Sequence, residues 1–329
     1  MEIGNLKFQK YPVFLAPMED VTDPTFRFMC KQFGVDMMYT EFISAEGLIR
    51  GGKKGLRKLD LWEAERPIGI QIYGANIEPM VEAAKMVEQA QPEILDLNFG
   101  CPVKKIAGRG AGSGMLREVD KMIEMTSRIV DAVNIPVTAK TRIGWSSDEI
   151  NIQEVAERLQ STGIKALTIH GRTKVQMYKG QANWDPIKAV KDNPNISMPI
   201  IGNGDIDSAE TAKMRFDTTG VDAIMVGRGS IGKPWLFKEI RHYLDTGEIL
   251  PSPTVSDRVE MAKVHLAKSI EWKQDYGGVM TMRRHFVHYF KGIPDFKETR
   301  LKLLTTVAPG EVYKVLDLIS AQYGSFRPE

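Results

Sequence analysis

The chain has 329 residues, 43% apolar and 26% charged, an ordinary globular composition with room for one domain of about 250 residues and a small second one. No apolar run approaches the roughly 20 residues a membrane span needs, and residues 1–10 lack the basic-then-apolar layout of a secretion signal, so a cytoplasmic location without membrane contact is expected. A formal net charge of +2 neither indicates nor excludes a nucleic-acid partner.

Short apolar, β-branched runs recur along the chain at 13–18, 37–42, 68–73, 94–98, 137–140, 166–170, 200–203 and 223–226. Each ends in a polar or glycine-containing turn. Between them lie stretches with apolar residues at helical spacing, among them 80–89, 119–132, 152–162 and 208–216. Pro79 and Ser208 suit helix starts. Near-continuous apolar strands alternating with helices predict a parallel sheet covered on both faces. Eight such repeats predict a closed (β/α)8 TIM barrel. An open doubly wound sheet is the weaker reading, because polar residues cluster at the ends of nearly all eight runs and a barrel gathers those ends around one mouth.

After Leu250 the pattern changes. Pro251-Ser-Pro253 punctuates the chain, and helices are expected at 254–275, 280–290, 296–305 and 310–323. The predicted organisation is a catalytic barrel over 1–248 followed by a small all-helical domain over 249–329. Residues 279–302 carry six Lys or Arg against two acids, interleaved with Phe286, Tyr289, Phe290 and Phe296. By itself that pattern also describes a solvated helix face over a buried aromatic stripe.

Barrel enzymes place their chemistry at the C-terminal ends of the strands. Those ends carry Ala16-Pro-Met-Glu-Asp20, Glu41, Gln71, Asn98-Phe-Gly-Cys-Pro102, Lys140-Thr-Arg142, His170-Gly-Arg172, Asn203-Gly-Asp205 and Gly227-Arg-Gly229. The glycine turns after strands seven and eight are placed for a phosphate group, which free backbone N–H groups and a helix start favour. Lys140 is placed to face an anion such as a reduced flavin ring; a rim salt bridge with Glu41 or Asp96 is the plainer alternative. His170 reads equally as a site residue or a satisfied core histidine. Cys101 lies on a glycine-rich loop with Lys104, Lys105 and Arg109, cations expected to lower its pKa; the alternative is a buried structural thiol. Cys30 shares a helical face with Phe26 and Phe33 and reads as core. Two cysteines in such different contexts form no metal cluster, so no metal site is expected.

These stretches together resemble the bacterial tRNA-dihydrouridine synthases over nearly the whole chain. The most specific piece is Asn98-Phe-Gly-Cys-Pro102, followed by Lys104-Lys105 and Gly110-Ala-Gly-Ser113. Ala16-Pro-Met-Glu-Asp-Val-Thr-Asp23, Lys140-Thr-Arg-Ile-Gly144, His170-Gly-Arg-Thr173, Asn203-Gly-Asp205 and Gly227-Arg-Gly229 add to it. Lys104-Lys105 and Arg283-Arg-His285 make the resemblance strongest to the B-type branch.

The resemblance implies FMN as cofactor and NADPH as co-substrate, with a specific uridine in the D-loop of tRNA reduced to 5,6-dihydrouridine. Ala16, Pro17, Met18, Gln71, Lys140, His170, Asn203, Gly204, Asp205, Gly227 and Arg228 would hold FMN. Asn98, Lys140, Arg142 and His170 would surround a flipped-out uracil, hydride would reach its C6, and Cys101 would protonate C5. Lys104, Lys105, Arg109, Arg283, Arg284, His285, Lys291, Lys297, Arg300 and Lys302 would meet the tRNA backbone. No protein partner is evident from the sequence. An FMN barrel oxidoreductase acting on a small molecule is the alternative, and a tRNA-binding protein on an inactive barrel is a second.

Overall fold

The computed structural model describes residues 1–328. Its main sheet is a ring of eight short parallel strands: β1 (Val13–Leu15), β2 (Met38–Tyr39), β3 (Ile68–Tyr73), β4 (Ile94–Phe99), β5 (Val137–Arg142), β6 (Leu167–His170), β7 (Ile200–Asn203) and β8 (Ala223–Val226). Neighbours in sequence are neighbours in the sheet, and β8 returns to pair with β1. Closure between β1 and β2 is thin. It rests on the Phe14–Met37 bridge and the Leu15 N–H, which donates to the Met37 carbonyl at 2.9 Å.

Alternation along each strand sorts the side chains. Val13, Leu15, Ile70, Ile72, Leu95, Leu97, Ala139 and Ile169 face outward and pack under the surrounding helices. Phe14, Tyr39, Ile94, Ile201 and Met225 face inward and form a separate apolar plug. Higher in the same interior, toward the strand ends, the inward positions turn polar: Gln71, Asp96, Asn98, Thr138, Lys140, Thr168, His170 and Asn203. Most are buried, so the barrel centre is apolar at its base and polar toward its mouth.

The helices 119–132 and 152–161 fall within a residue of expectation. Ser208 caps Ala209–Thr219 by accepting the Thr211 N–H at 3.1 Å. The helix assigned to 80–89 begins at Ile77, with Pro79 in its first turn, where a missing N–H costs nothing. The expected strand 37–42 is broken. Past Thr40 its tail leaves the ladder, where the Glu41 carboxylate accepts the Asp20 N–H at 2.5 Å, and a two-residue piece, Ile43–Ser44, rejoins β3. Two further elements had no clear sequence signal. A hairpin of Glu2–Ile3 and Leu6–Lys7 contributes Ile3 to the apolar plug. The helix Leu236–Thr246 follows the last strand.

Beyond it, Val255–Tyr289 is helical on both sides of a break at Gln274 (φ 64°), and its arms fold back on one another. The sharp reversal requires Gly278: a Cβ there would lie 2.6 Å from the Ile270 Cα. A capping box of Thr254 and Asp257 starts the first arm. With Lys297–Thr305 and Pro309–Tyr323 these arms enclose their own apolar core, including Leu266, Phe286, Leu303 and Leu316.

The barrel meets this helical part through aromatic and imidazole rings. Phe26 stacks on His285 with centroids 4.8 Å apart, and His285 lies 4.6 Å from His265. His265 Nε2 is 3.2 Å from Thr25 Oγ1 and its Nδ1 is 3.3 Å from the Tyr289 hydroxyl. His285 is fully buried, which corrects its expected place on an RNA-facing surface: stacking on Phe26 takes it into the interface.

Burial pushes His265 down to about 4 and His285 well below the ordinary histidine range, helped by the positive charge of neighbouring groups around His285. Folded, both stay neutral, whereas the unfolded chain binds protons below about pH 6.5. Their contribution is whole above that pH and is lost as the pH falls from about 6.5 toward 4. The melting temperature is expected to drop across this window, and His285→Phe, which keeps a ring and removes a proton site, to flatten the drop. A wild-type melting temperature constant across the window contradicts it.

Candidate active site

The strand ends enclose one open-mouthed cavity of about 850 Å³, within the usual range for cofactor and substrate sites, roughly 300–1,000 Å³. Ala16, Pro17 and Met18 line it from the end of β1, and Gln71, Asn98 and Cys101 from β3 and β4. Lys140, Arg142 and His170 line it from β5 and β6. Asn203, Gly204, Asp205, Gly227 and Arg228 come from β7 and β8, and Lys291 reaches it from the helical part.

On the β3–β5 side the polar residues form one line. Thr138 Oγ1 donates to Asp96 Oδ1 at 2.5 Å, and Gln71 Nε2 donates to Asp96 Oδ2 at 2.6 Å. Asn98 Nδ2 donates to Gln71 Oε1 at 2.8 Å. Asn98 Oδ1 then accepts the N–H groups of Gly100 and Cys101 at 3.0 and 2.9 Å. The register makes this possible, because Gln71, Asp96 and Thr138 are paired neighbours across three strands.

Lys140 has no hydrogen-bond or ion-pair partner among the described residues, so the salt bridge with Glu41 or Asp96 does not form. Burial, then the nearby Arg142, pushes its ammonium down to about 8, leaving it mainly charged at neutral pH. Burial pushes Asp96 up to about 6 against the hydrogen bonds from Thr138 and Gln71. Arg142 serves largely as a strut. Its Nε donates to the Gly100 carbonyl at 2.7 Å and its Nη1 to the Thr173 and Met177 carbonyls at 3.0 and 2.9 Å.

The Asn203 amide donates to the Met225 carbonyl at 2.7 Å, which turns its oxygen to His170 Nδ1 at 2.7 Å. That oxygen only accepts, so Nδ1 carries the proton. Burial, then the charges of Lys140 and Arg142, holds the ring neutral. His170 Nε2 is therefore a bare lone pair, buried without a partner. Leaving such a group unmatched costs about 1–3 kcal/mol, so a ligand donor there is favourable.

At the β7–β8 end, the backbone N–H groups of Gly204, Asp205, Arg228 and Gly229 have no protein acceptor among the described residues. Gly204 lies at φ 130° with no space for a side chain, a Cβ meeting that of Ala182 at 2.7 Å. The Asp205 carboxylate is occupied. Arg172 grips it with two bonds of 2.8 Å, and the Ala182 N–H and Arg228 complete its shell. Burial raises its pKa, but these partners outweigh that and leave it below the usual range. Arg172, two residues after His170, thus holds the Asp205 turn, a role its place in the sequence alone does not indicate.

Cys101 is buried and unbridged, 7% exposed. Burial raises its pKa, outweighing the Val103 N–H and the charge of Arg142. This corrects the expected lowering by Lys104, Lys105 and Arg109, which are exposed to solvent beside the loop. The Cys101 carbonyl is held by both the N–H and the hydroxyl of Ser113, at 3.1 and 2.8 Å. Cys30 lies fully buried in the outer core, as its helical face foretold.

Lys104, Lys105, Arg109, Arg283 and Arg284 lie outside the cavity. Lys297, Arg300 and Lys302 are exposed. Arg283 is half-buried, and Arg284 is engaged by the Asp20 carbonyl across the interface. One further basic cluster is exposed: Arg50, Lys53, Lys54 and Arg57, with Arg57 over the Trp272 ring at 4.9 Å. Four cations within eight residues are its signal in the sequence.

A parallel eight-stranded barrel with such a mouth defines a (β/α)8-barrel enzyme. The family model described as "Dihydrouridine synthase (Dus)" matches residues 14–322. The chain belongs to that family, whose members are flavin-dependent oxidoreductases. It is 38% identical over 301 residues to the probable tRNA-dihydrouridine synthase of Rickettsia prowazekii, covering 91% of both chains. It is 39% identical over 291 residues to tRNA-dihydrouridine synthase B of Pseudomonas putida, covering 88% of this chain and 86% of that one. Two solved structures share its fold at 12% identity. Histamine dehydrogenase from Rhizobium sp. 4-9 has a TM-score of 0.54, covering 95% of this chain and 63% of that one. A morphinone reductase variant in complex with tetrahydroNAD has a TM-score of 0.52, covering 70% and 86%.

With burial raising the Cys101 pKa and limiting access, iodoacetamide at pH 8 is expected to alkylate Cys101 at least about tenfold more slowly than free cysteine. Cys30 should react only on unfolding. Peptide mass spectrometry over time checks both, and fast alkylation of folded Cys101 contradicts the assignment.

Proposed function

We propose that the chain reduces a uridine in the D-loop of tRNA to 5,6-dihydrouridine, with FMN as its bound flavin and NADPH as reductant. The observation that carries the reading is one cavity holding the free Cys101 thiol, the unpaired Lys140 ammonium and the bare His170 Nε2, with unused backbone N–H groups at its far end.

These residues fit FMN. The N–H groups of Gly204, Asp205, Arg228 and Gly229, with the Arg228 guanidinium, would take its phosphate. Ala16, Pro17, Met18, Gln71, Lys140, His170 and Asn203, which line the same cavity, would hold the rest of it. Bound there, FMN would supply hydride for uracil C6, with NADPH as the source of its electrons.

Asn98, Lys140, Arg142 and His170 would orient the base, which must leave its stack to reach the cavity. The Cys101 S–H bond breaks and its proton goes to C5, so that hydride and proton together saturate the C5–C6 bond. A raised pKa suits this role, since the donor must be protonated before it acts. Lys104, Lys105 and Arg109 flank the Cys101 loop and would hold the tRNA backbone there. The helical region 249–329 would serve as the tRNA-binding domain, with Lys291, Lys297, Arg300 and Lys302 as its backbone contacts. Arg283 and Arg284 would contribute from the interface side.

Deleting the gene is expected to lower dihydrouridine in cellular tRNA, measured by nucleoside mass spectrometry. The wild-type gene should restore it, and the Cys101→Ala gene should not, although the purified variant keeps its yellow flavin. Restoration by Cys101→Ala removes the proton-donor assignment. Unchanged dihydrouridine after deletion, with no second synthase present, favours a barrel oxidoreductase acting on a small molecule.

Binding of tRNA is expected to weaken with salt. Lys104→Ala/Lys105→Ala should reduce the slope of log affinity against log salt by about two, near one per lost phosphate contact. An unchanged slope places these lysines away from the RNA.

A further inference from the structure

We infer that Asp96 is a positioning residue: from beneath the cavity it fixes the direction of the Gln71 and Asn98 amides and so pins the loop that carries Cys101. Asp96 is 1% exposed and lines no part of the cavity, so contact with a ligand does not explain it. A buried carboxylate is costly unless its acceptors are used, and both oxygens are: Thr138 Oγ1 donates to one at 2.5 Å and Gln71 Nε2 to the other at 2.6 Å.

An ionised carboxylate only accepts, so Gln71 must turn its NH2 toward Asp96. Its oxygen then faces Asn98 and accepts Nδ2 at 2.8 Å. This leaves Asn98 Oδ1 for the N–H groups of Gly100 and Cys101, at 3.0 and 2.9 Å. The line starts on a group with acceptors only and ends on groups with donors only, so it has one self-consistent direction. Gln71 and Asn98 both line the cavity, Gln71 fully buried and Asn98 at 7% exposure.

Without Asp96, Gln71 Nε2 loses its acceptor. Turning the amide over supplies one only by presenting the wrong end to Asn98, which loosens the Cys101 loop. This effect bears on turnover through the proposed role of Cys101, but it is measurable without turnover.

The test is the alkylation rate of Cys101 in the folded protein, with Cys30 as internal control. Asp96→Leu, which removes the acceptor at similar volume, should speed alkylation of Cys101 about tenfold and leave Cys30 protected. Asp96→Asn, which keeps one oxygen, should fall between Asp96→Leu and wild type. Asp96→Asn/Gln71→Glu moves the acceptor-only group one step along the line and should return the rate to near wild type. Wild-type alkylation in Asp96→Leu, or a double variant as fast as Asp96→Asn, overturns the inference. If Asp96→Leu does not fold, the double variant against Asp96→Asn decides it. Dihydrouridine formation by the wild-type protein is measured separately, so failure of the proposed activity leaves the alkylation series standing.

Discussion

Closing eight parallel strands on themselves leaves an interior that only side chains can fill, two residues apart along every strand. Everything distinctive about the molecule follows from how that interior is divided. Phe14, Tyr39, Ile94, Ile201 and Met225 fill its base and exclude water. Above them the same inward positions carry Gln71, Asp96, Asn98, Thr138, Lys140, His170 and Asn203, groups that the closed wall deprives of bulk solvent. Deprived of water, they must satisfy one another or keep an unmet demand.

Both outcomes occur, and the difference between them separates scaffold from site. Asp96, Thr138, Gln71 and Asn98 satisfy one another completely enough to hold a loop in place. Arg172 and Asp205 do the same at the opposite wall, freezing the turn after β7. The Lys140 ammonium, His170 Nε2 and the main-chain N–H groups at the ends of β7 and β8 are left over. A cation, a lone pair and unpartnered main-chain N–H groups thus converge on one cavity. The Cys101 thiol at the same cavity has its pKa raised by burial, as burial lowers that of Lys140.

The helical part is fastened to the barrel by contacts that reach the working end. Phe26, His265 and His285 form the apolar seam, while Arg57 on Trp272 and Arg284 on the Asp20 carbonyl tie the mouth loops to the helices. Gly232, just past the turn after β8, approaches the helix so closely that a Cβ would meet the His288 Cβ at 2.4 Å. The turn after β8 and the helical part are thus neighbours, and Lys291 reaches from the helical part into the cavity.

The sequence by itself determined the barrel, the helical end of the chain and the residues at the mouth, because strand period, turn glycines and strand-end polarity are local properties. Gln71, Asn98, Cys101, Lys140, His170 and Asn203 were legible for that reason, and the motif around Cys101 was specific enough to indicate the family. Tertiary structure alone decided which of them are free. No local pattern tells that Arg142 is tied to three carbonyls, that Asp205 is held by Arg172, or that His285 turns inward onto Phe26 while its neighbour Arg284 stays outside. Those outcomes depend on groups from distant parts of the chain competing for the same buried donors and acceptors, and so does the sign of the shift at Cys101, where burial outweighs the cations that sequence placed nearby.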